Sequence, residues 1–326
     1  MEAALSERAG AASPSRARRA GAVRGGGPRV LVVYKKSAYQ TNVRERKNPR
    51  FIALLEAQDR TVARLVQAHE EHLATLEETR SALEALGCRA TFRFRGDEAL
   101  LEDVDLVVTV GGDGTLLWAA RWVGASIPVL AINSAPDDSI GHFCAGRKGA
   151  VRATLEAALS GALKTTRLTR MQVVLDGTVL SRRVLNDALF AHAIPAATTR
   201  YILRHERADG SVREEEQKSS GVWVGPAAGS TAAQRSAGGR VLPASSRRLQ
   251  YVVREPYLPR ASSQAMTQGL VGLGERLVLQ SKVREGKVFL DGPHHVHDVP
   301  MGSRLVLCAS DEPLMLLGFP PRTTAP

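Results

Sequence analysis

Residues 105–125 read DLVVTVGGDGTLLWAARWVGA, and this stretch decides the fold. DLVVTV (105–110) is an unbroken apolar run rich in β-branched residues, as expected of a strand buried on both faces. TLLWAARWVGA (115–125) reads as the helix that follows it. The turn between them is Gly111-Gly112-Asp113-Gly114-Thr115. In open parallel sheets ligands bind outside the carboxyl ends of the strands, which is where this loop falls. Glycines allow backbone N–H groups to approach a polyphosphate, and the next helix points its positive end at it. A carboxylate there repels phosphate unless it holds a divalent cation or takes a proton from an attacking hydroxyl. Asp113 is therefore the candidate catalytic residue, with Gly111, Gly112, Gly114 and Thr115 as candidate phosphate contacts. No Gly-Lys-Ser/Thr follows, so this is not a Walker loop, and the third glycine of a dinucleotide fingerprint is missing.

Working outward, RVLVVYK (29–35) reads as a buried strand. Val62, Leu65, Val66, His69, Leu73, Leu76, Leu83 and Leu86 recur at three- and four-residue steps until Gly87. That spacing predicts a helix over 51–86, broken once. Strands at 89–94 and 128–132 and a helix at 149–161 complete an alternating pattern, hence a parallel sheet with helices on its faces. From about residue 167 the chain changes to short β-rich runs. Asp176-Gly177 and Asp209-Gly210 sit between alternating segments as hairpin signals, so this half reads as antiparallel β.

At 326 residues and 44% hydrophobic content the chain can bury two cores. No apolar stretch approaches the ~18 residues that a membrane helix needs, and the start has no apolar signal core. Three well-separated cysteines, Cys88, Cys144 and Cys308, argue against a disulfide framework and for a reducing compartment. The expectation is a soluble cytoplasmic protein. The charge of +11 is spread without a basic stripe and with 5% aromatics, which favours a phosphorylated small molecule over nucleic acid. Residues 1–28 hold almost nothing to bury and are expected to be a disordered tail.

Gly-Gly-Asp-Gly-Thr after a strand resembles the signature shared by NAD kinases, diacylglycerol and sphingosine kinases and, more loosely, 6-phosphofructokinases. Two further segments point to the first. Asn186-Asp187 in RRVLNDALFAH resembles the Asn-Glu motif of NAD kinases. SSGVWVGPAAGSTAAQRSAGG (219–239) resembles their Gly-rich segment through Gly229, Ser230, Thr231, Ala232, Ser236, Ala237, Gly238 and Gly239. FLDGP (289–293) corresponds to a late Asp-Gly turn, and the order holds from about 29 to 318.

The resemblance implies an α/β Rossmann-like domain over 29–165 and an antiparallel β-sandwich-like domain over 166–310. A segment over 311–326 then returns to the first domain. It implies transfer of the γ-phosphate of ATP to the 2′-hydroxyl of the adenosine ribose of NAD+ or NADH. Mg2+ or another divalent cation would assist, and a homo-oligomer would form. Asn186, Asp187, Gly229, Ser230, Thr231, Ala232 and Asp291 become candidate NAD-binding residues; none is assigned as a metal ligand. A lipid kinase of the same superfamily and a non-catalytic NAD(H)-binding sensor are the alternatives. The sequence departs from the common pattern at Ser219-Ser220-Gly221, at Ala233 and over NSAPDDSIGHFC (133–144), which resembles the plant NADH kinase and animal mitochondrial branch. His69 and His72 read as a solvated helix face, His294, His295 and His297 as a surface loop with a substrate contact left open, and Cys144 as a packed thiol.

Overall fold

The computed structural model describes residues 26–97, 103–257 and 266–319. The first 25 residues of the expected tail lie outside the described residues.

The first sheet is built from β1 (Arg29–Tyr34), β2 (Arg89–Phe94), β3 (Leu106–Gly111), β4 (Pro128–Asn133), the short β5 (Gly146–Arg147) and β6 (Thr165–Leu168). A strand from the far end of the chain, β19 (Leu314–Leu317), completes it in the order β2-β1-β3-β4-β19-β6, with β5 beside β4. β3 is buried at every position, as its continuous apolar run demands. Side chains alternate across the strands. Val30 and Val32 face α2 (Leu65–Ala85) and α4 (Val151–Leu159) through Leu83 and Leu155. Leu31 and Val33 face α3 (Asp113–Ala120) through Leu116 and Ala119. Burying one such Leu or Val is worth ~1.5–3 kcal/mol over leaving it exposed.

The helical stretch predicted over 51–86 is broken where its capping residues dictate. Asn48 accepts from the N–H of Arg50 and Pro49 opens α1 (Pro49–Glu56). Gln58 then takes a positive φ of 50°, and Asp59 caps a 3-10 turn by accepting from Thr61, before α2 begins at Leu65.

The second half is a sandwich of two six-stranded antiparallel sheets. Its strands in chain order begin with β7 (Met171–Leu175), β8 (Thr178–Val184), β9 (Ala188–His192), β10 (Thr199–Glu206), β11 (Val212–Ser219) and β12 (Val222–Pro226). A short helix, α5 (Ala233–Ser236), precedes β13 (Leu249–Val253), β14 (Gln268–Val271), β15 (Arg276–Ser281), β16 (Gly286–Leu290), β17 (Val296–Val299) and β18 (Arg304–Ala309). One sheet runs β11-β10-β15-β18-β7-β8 and the other β14-β13-β12-β9-β16-β17. Their inner faces share one apolar core, in which Phe190 meets Tyr201 edge-on at 5.5 Å. Asp176 and Gly177 both adopt positive φ and close the β7–β8 hairpin in two residues. The Asp209-Gly210 hairpin is wider: Arg207 donates to the carbonyl of Ser211, and only Gly210 of the pair takes positive φ.

Both the chain path and buried side chains tie the halves together. β19 pairs parallel to β4 and antiparallel to β6, so the sandwich is inserted between two strands of the first sheet, and β6 carries that sheet on to Leu168. Arg170, fully buried, donates to the carbonyls of Ala120 and Val123 at the C-terminal end of α3 and to that of Pro313. A cation at that helix end complements the macrodipole. Burial and the neighbouring Arg183 hold its pKa down at about 10, still charged at neutral pH.

Candidate functional site

The glycine loop leaves the C-terminal end of β3, with Asp113 at the first position of α3. A Cβ on Gly111 would lie 2.2 Å from Thr115 Oγ1 and one on Gly112 would lie 2.5 Å from Ser139 Oγ. Neither position has room for a side chain. Thr115 is 1% exposed and packed under Gly111, so it shapes the loop from below.

Asp113 faces a strap that the sequence reading left without a role. Its Oδ2 accepts the backbone N–H of His142 at 2.9 Å, and its Oδ1 accepts that of Phe143 at 3.0 Å. Asn133 braces the strap by donating to the carbonyl of Ser139 and accepting from the N–H of Ala135. Gly141 passes so close to that amide, at φ 58°, that a Cβ would lie 2.4 Å from Asn133 Nδ2. The His142 ring then crosses to the sandwich, where its Nε2 lies 3.5 Å from Thr231 Oγ1. It also packs against Phe143 and Phe319.

On the sandwich side, Leu185, Asn186 and Asp187 form the corner by which the chain passes from β8 in one sheet to β9 in the other. Corner backbone has no ladder partner, and Asp291 supplies one. Its carboxylate accepts the N–H groups of Leu185 (3.0 Å), Asn186 (2.6 Å) and Asp187 (3.3 Å). Asp291 was expected as a substrate contact; at 7% exposure, with three donors on its carboxylate, it holds the corner from behind. Arg121 donates to the Asp291 carbonyl at 3.0 Å and so ties the far end of α3 to the same turn.

Asp187, another candidate NAD-binding residue, is also buried, at 4% exposure. Its Oδ2 accepts from Asn186 Nδ2 at 2.9 Å, which orients the half-exposed Asn186 amide. Burial, then repulsion from Asp291, pushes the Asp187 carboxyl up to about 7. Asp291 is pushed upward by burial, against the pull of its backbone N–H donors.

The Gly-rich segment follows β12 as a 3-10 turn over Ala227–Thr231. A Cβ on Gly229 would lie 1.7 Å from the carbonyl oxygen of Asn186. The missing side chain of Gly229, a candidate NAD-binding residue, thus makes room for the corner. Ser230, fully buried, donates to the carbonyl of Ala227 and accepts from the N–H of Leu242, a structural duty. Thr231 and Ala232 remain half-buried beside His142 and the loop.

One histidine reading changes. His72 is 1% exposed, with Nε2 2.6 Å from the carbonyl of Lys35 and Nδ1 2.9 Å from Ser134 Oγ. A carbonyl accepts only, so Nε2 carries the proton and Nδ1 accepts from Ser134. Burial holds its pKa down at about 4. This face of α2 packs on the ends of β1 and β4, so His72 is not the solvated residue the spacing suggested. His294 and His295 line an open groove of about 570 Å³ with Arg121, Trp122 and Arg182, behind the Asn186 corner. Among the described residues no group of three His, Cys, Asp or Glu side chains could hold a metal ion. Cys144 is packed, and burial raises its thiol to about 12.

The pattern of the ATP-NAD kinase N-terminal domain matches residues 39–162. A rice protein named probable NADH kinase is 39% identical over 236 residues, covering 68% of this chain and 72% of the rice protein. The chain belongs to the NAD kinase family. NADH kinase from Arabidopsis thaliana is 34% identical over 66% of this chain and 73% of its own length. Two solved NAD kinase folds align over nearly the whole chain. An Archaeoglobus fulgidus NAD kinase in complex with ATP gives a TM-score of 0.63 at 18% identity, covering 90% of this chain and 94% of that one. Yeast NADH kinase complexed with NADH gives 0.65 at 15% identity, covering 92% and 85%. At such identity these two speak for the fold: a Rossmann-like α/β domain followed by a β-sandwich. Among the described residues no helix is long and apolar enough to cross a membrane.

Proposed function

We propose that this chain is an NAD(H) kinase that moves the γ-phosphoryl group of ATP to the adenosine-ribose 2′-hydroxyl of NAD+ or NADH. One relationship carries the reading beyond family membership. The Asp113 loop and the Asn186 corner lie on either side of one junction, joined through His142 and Thr231. A phosphoryl transfer needs a base at one side and a grip on the acceptor at the other.

In this reading Asp113 accepts the proton of the attacking hydroxyl as the new P–O bond forms and the bond to ADP breaks. The strap N–H groups hold its two oxygens in place. Backbone N–H groups of Gly112 and Gly114 and the start of α3 face the phosphates. The Asn186 amide, oriented by Asp187, meets the adenosine, with Thr231 and Ala232 beside it. Asp113 retains lone pairs for a divalent cation, and a site of one carboxylate completed by substrate phosphates fits Mg2+. Such an ion neutralises charge on the transferred group.

The same reading includes the division at about 165 and 310, a homo-oligomer and a cytoplasmic setting. Similarity over 72% of a relative named NADH kinase favours a dinucleotide acceptor over a lipid. Purified protein with ATP, Mg2+ and NAD+ or NADH, read by NADP(H)-specific detection, tests the proposal. Binding of NAD(H) without turnover would instead identify a sensor.

A further inference from the structure

β1 is the middle strand of three parallel neighbours at the site edge of the sheet. Tyr34 pairs with Phe94 of β2 on one side and with Val110 of β3 on the other. The next residues along these strands are Arg95, Lys35 and Gly111, so the three sit abreast at the carboxyl edge. Neighbouring strands are ~4.8 Å apart. The backbone confirms the continuation, since the N–H of Arg95 donates to the carbonyl of Tyr34 at 2.8 Å. A Cβ on Gly114 would lie 3.9 Å from an Arg95 guanidinium nitrogen, so the arginine reaches over the glycine loop.

Neither cation forms an ion pair with an acid among the described residues. The adjacent Lys36 is held by Glu45 at 2.9 Å. The carboxylate in electrostatic reach of Lys35 is Asp138, and its Oδ1 is already bound by Arg64 Nε at 2.8 Å. Lys35 is half-buried, and burial together with Arg95 draws its pKa down. Two like charges crowded at a half-buried edge, with no acid ion-paired to either among the described residues, are costly to the free protein. Their cost is offset if an anion occupies the edge. The sequence reading singled out neither residue, because each lies one position past a strand and neither belongs to a motif.

We propose that Lys35 and Arg95 are substrate-binding residues that grip the donor's phosphate chain against the Gly112–Gly114 loop. This rests on the kinase reading above and adds which residues select a polyphosphate. The guanidinium presents a planar fork to phosphate oxygens, while the ammonium acts as a point charge. The acceptor dinucleotide is held on the sandwich side of the junction, so the pair distinguishes the two substrates.

Lys35→Gln and Arg95→Gln test this, with Lys36→Gln as a control and Arg95→Lys as the conservative variant. Inorganic tripolyphosphate, which carries the phosphates without a nucleoside, is titrated into each protein by calorimetry at low and moderate salt. Kinetic runs vary ATP and NADH separately. Each Gln variant is expected to weaken tripolyphosphate binding and raise the KM for ATP about tenfold or more, as loss of a charge-assisted hydrogen bond does. The KM for NADH should stay within about twofold, and Arg95→Lys should recover part of the loss. Lys36→Gln should match wild type. Unchanged tripolyphosphate binding in folded Gln variants overturns the proposal, as does a shift confined to the KM for NADH. Lost tripolyphosphate binding in a chain that fails to phosphorylate NAD(H) would retire the kinase reading and leave the anion grip standing.

Discussion

The α-carbon of Gly229 packs directly on the carbonyl oxygen of Asn186, so closely that a Cβ would stand 1.7 Å from it. A backbone-to-backbone contact of this kind joins the Gly-rich turn to the sheet-switching corner and leaves neither free to move alone. Gly229→Ala must push the two apart. Overpacking of this kind costs ~1–3 kcal/mol. Turnover is expected to fall at least tenfold with a lower melting temperature, while Gly177→Ala, at an open hairpin with nothing near its Cβ, lowers stability alone. Parallel melting curves and rate measurements on the two variants separate these outcomes.

Asp113→Asn changes two things at once. The proposed base is lost, and loss of a base typically costs ~10²–10⁴-fold in rate. An amide nitrogen also replaces one oxygen that accepts a strap N–H, turning a hydrogen bond into a donor–donor clash. Single-turnover rates should therefore fall by at least 100-fold, and the melting temperature should drop as well. A variant that retains a tenth of the wild-type rate would remove Asp113 from the centre of the chemistry.

Asp291→Asn can keep the oxygen that accepts the Asn186 and Asp187 N–H groups, but it sets an amide NH2 against the Leu185 N–H, whose shorter bond is to the other oxygen. Each buried donor left unsatisfied costs ~1–3 kcal/mol. The corner is expected to loosen, so dinucleotide affinity should fall more than the affinity for ATP. Equilibrium titration with each ligand reads this split; equal losses would mean that Asp291 serves the whole fold and not the corner.

Two buried groups give stability opposing pH dependences. Asp187 titrates near 7 in the folded chain against an ordinary 3.8, so between about pH 4 and 7 the folded state binds the extra proton and its contribution weakens as pH rises. His72 behaves in the other sense. Below about pH 6.5 the unfolded chain takes a proton that the folded chain refuses until about 4, so stability falls as pH drops through that window. Asp187→Asn should therefore compare more favourably with wild type at pH 7.5 than at pH 5, and His72→Gln more favourably at pH 4.5 than at pH 7.5. Urea denaturation at these pH values measures both differences, and offsets that do not change with pH would show that neither group titrates as placed.

Local pattern alone was enough to specify the layers and the loop at the heart of the site. The unbroken run at 105–110 can only be buried on both faces, the three-and-four spacing after Val62 can only lay one face on a sheet, and Gly-Gly-Asp-Gly-Thr between strand and helix has to open toward the strand ends. These are properties of neighbours in the chain, and periodicity and turn chemistry read them directly. Contacts between residues far apart in sequence leave no such trace. Only the folded chain shows that Asp291 serves the backbone of Asn186 a hundred residues earlier, that Gly229 is small for the sake of a carbonyl, and that His72 is buried against Lys35 and Ser134. The same holds for Lys35 and Arg95: each is an ordinary cation at the end of a strand until parallel pairing sets both beside the glycine loop. Sequence determined which segments could be buried; strand register decided which charged and polar groups those buried segments bring face to face.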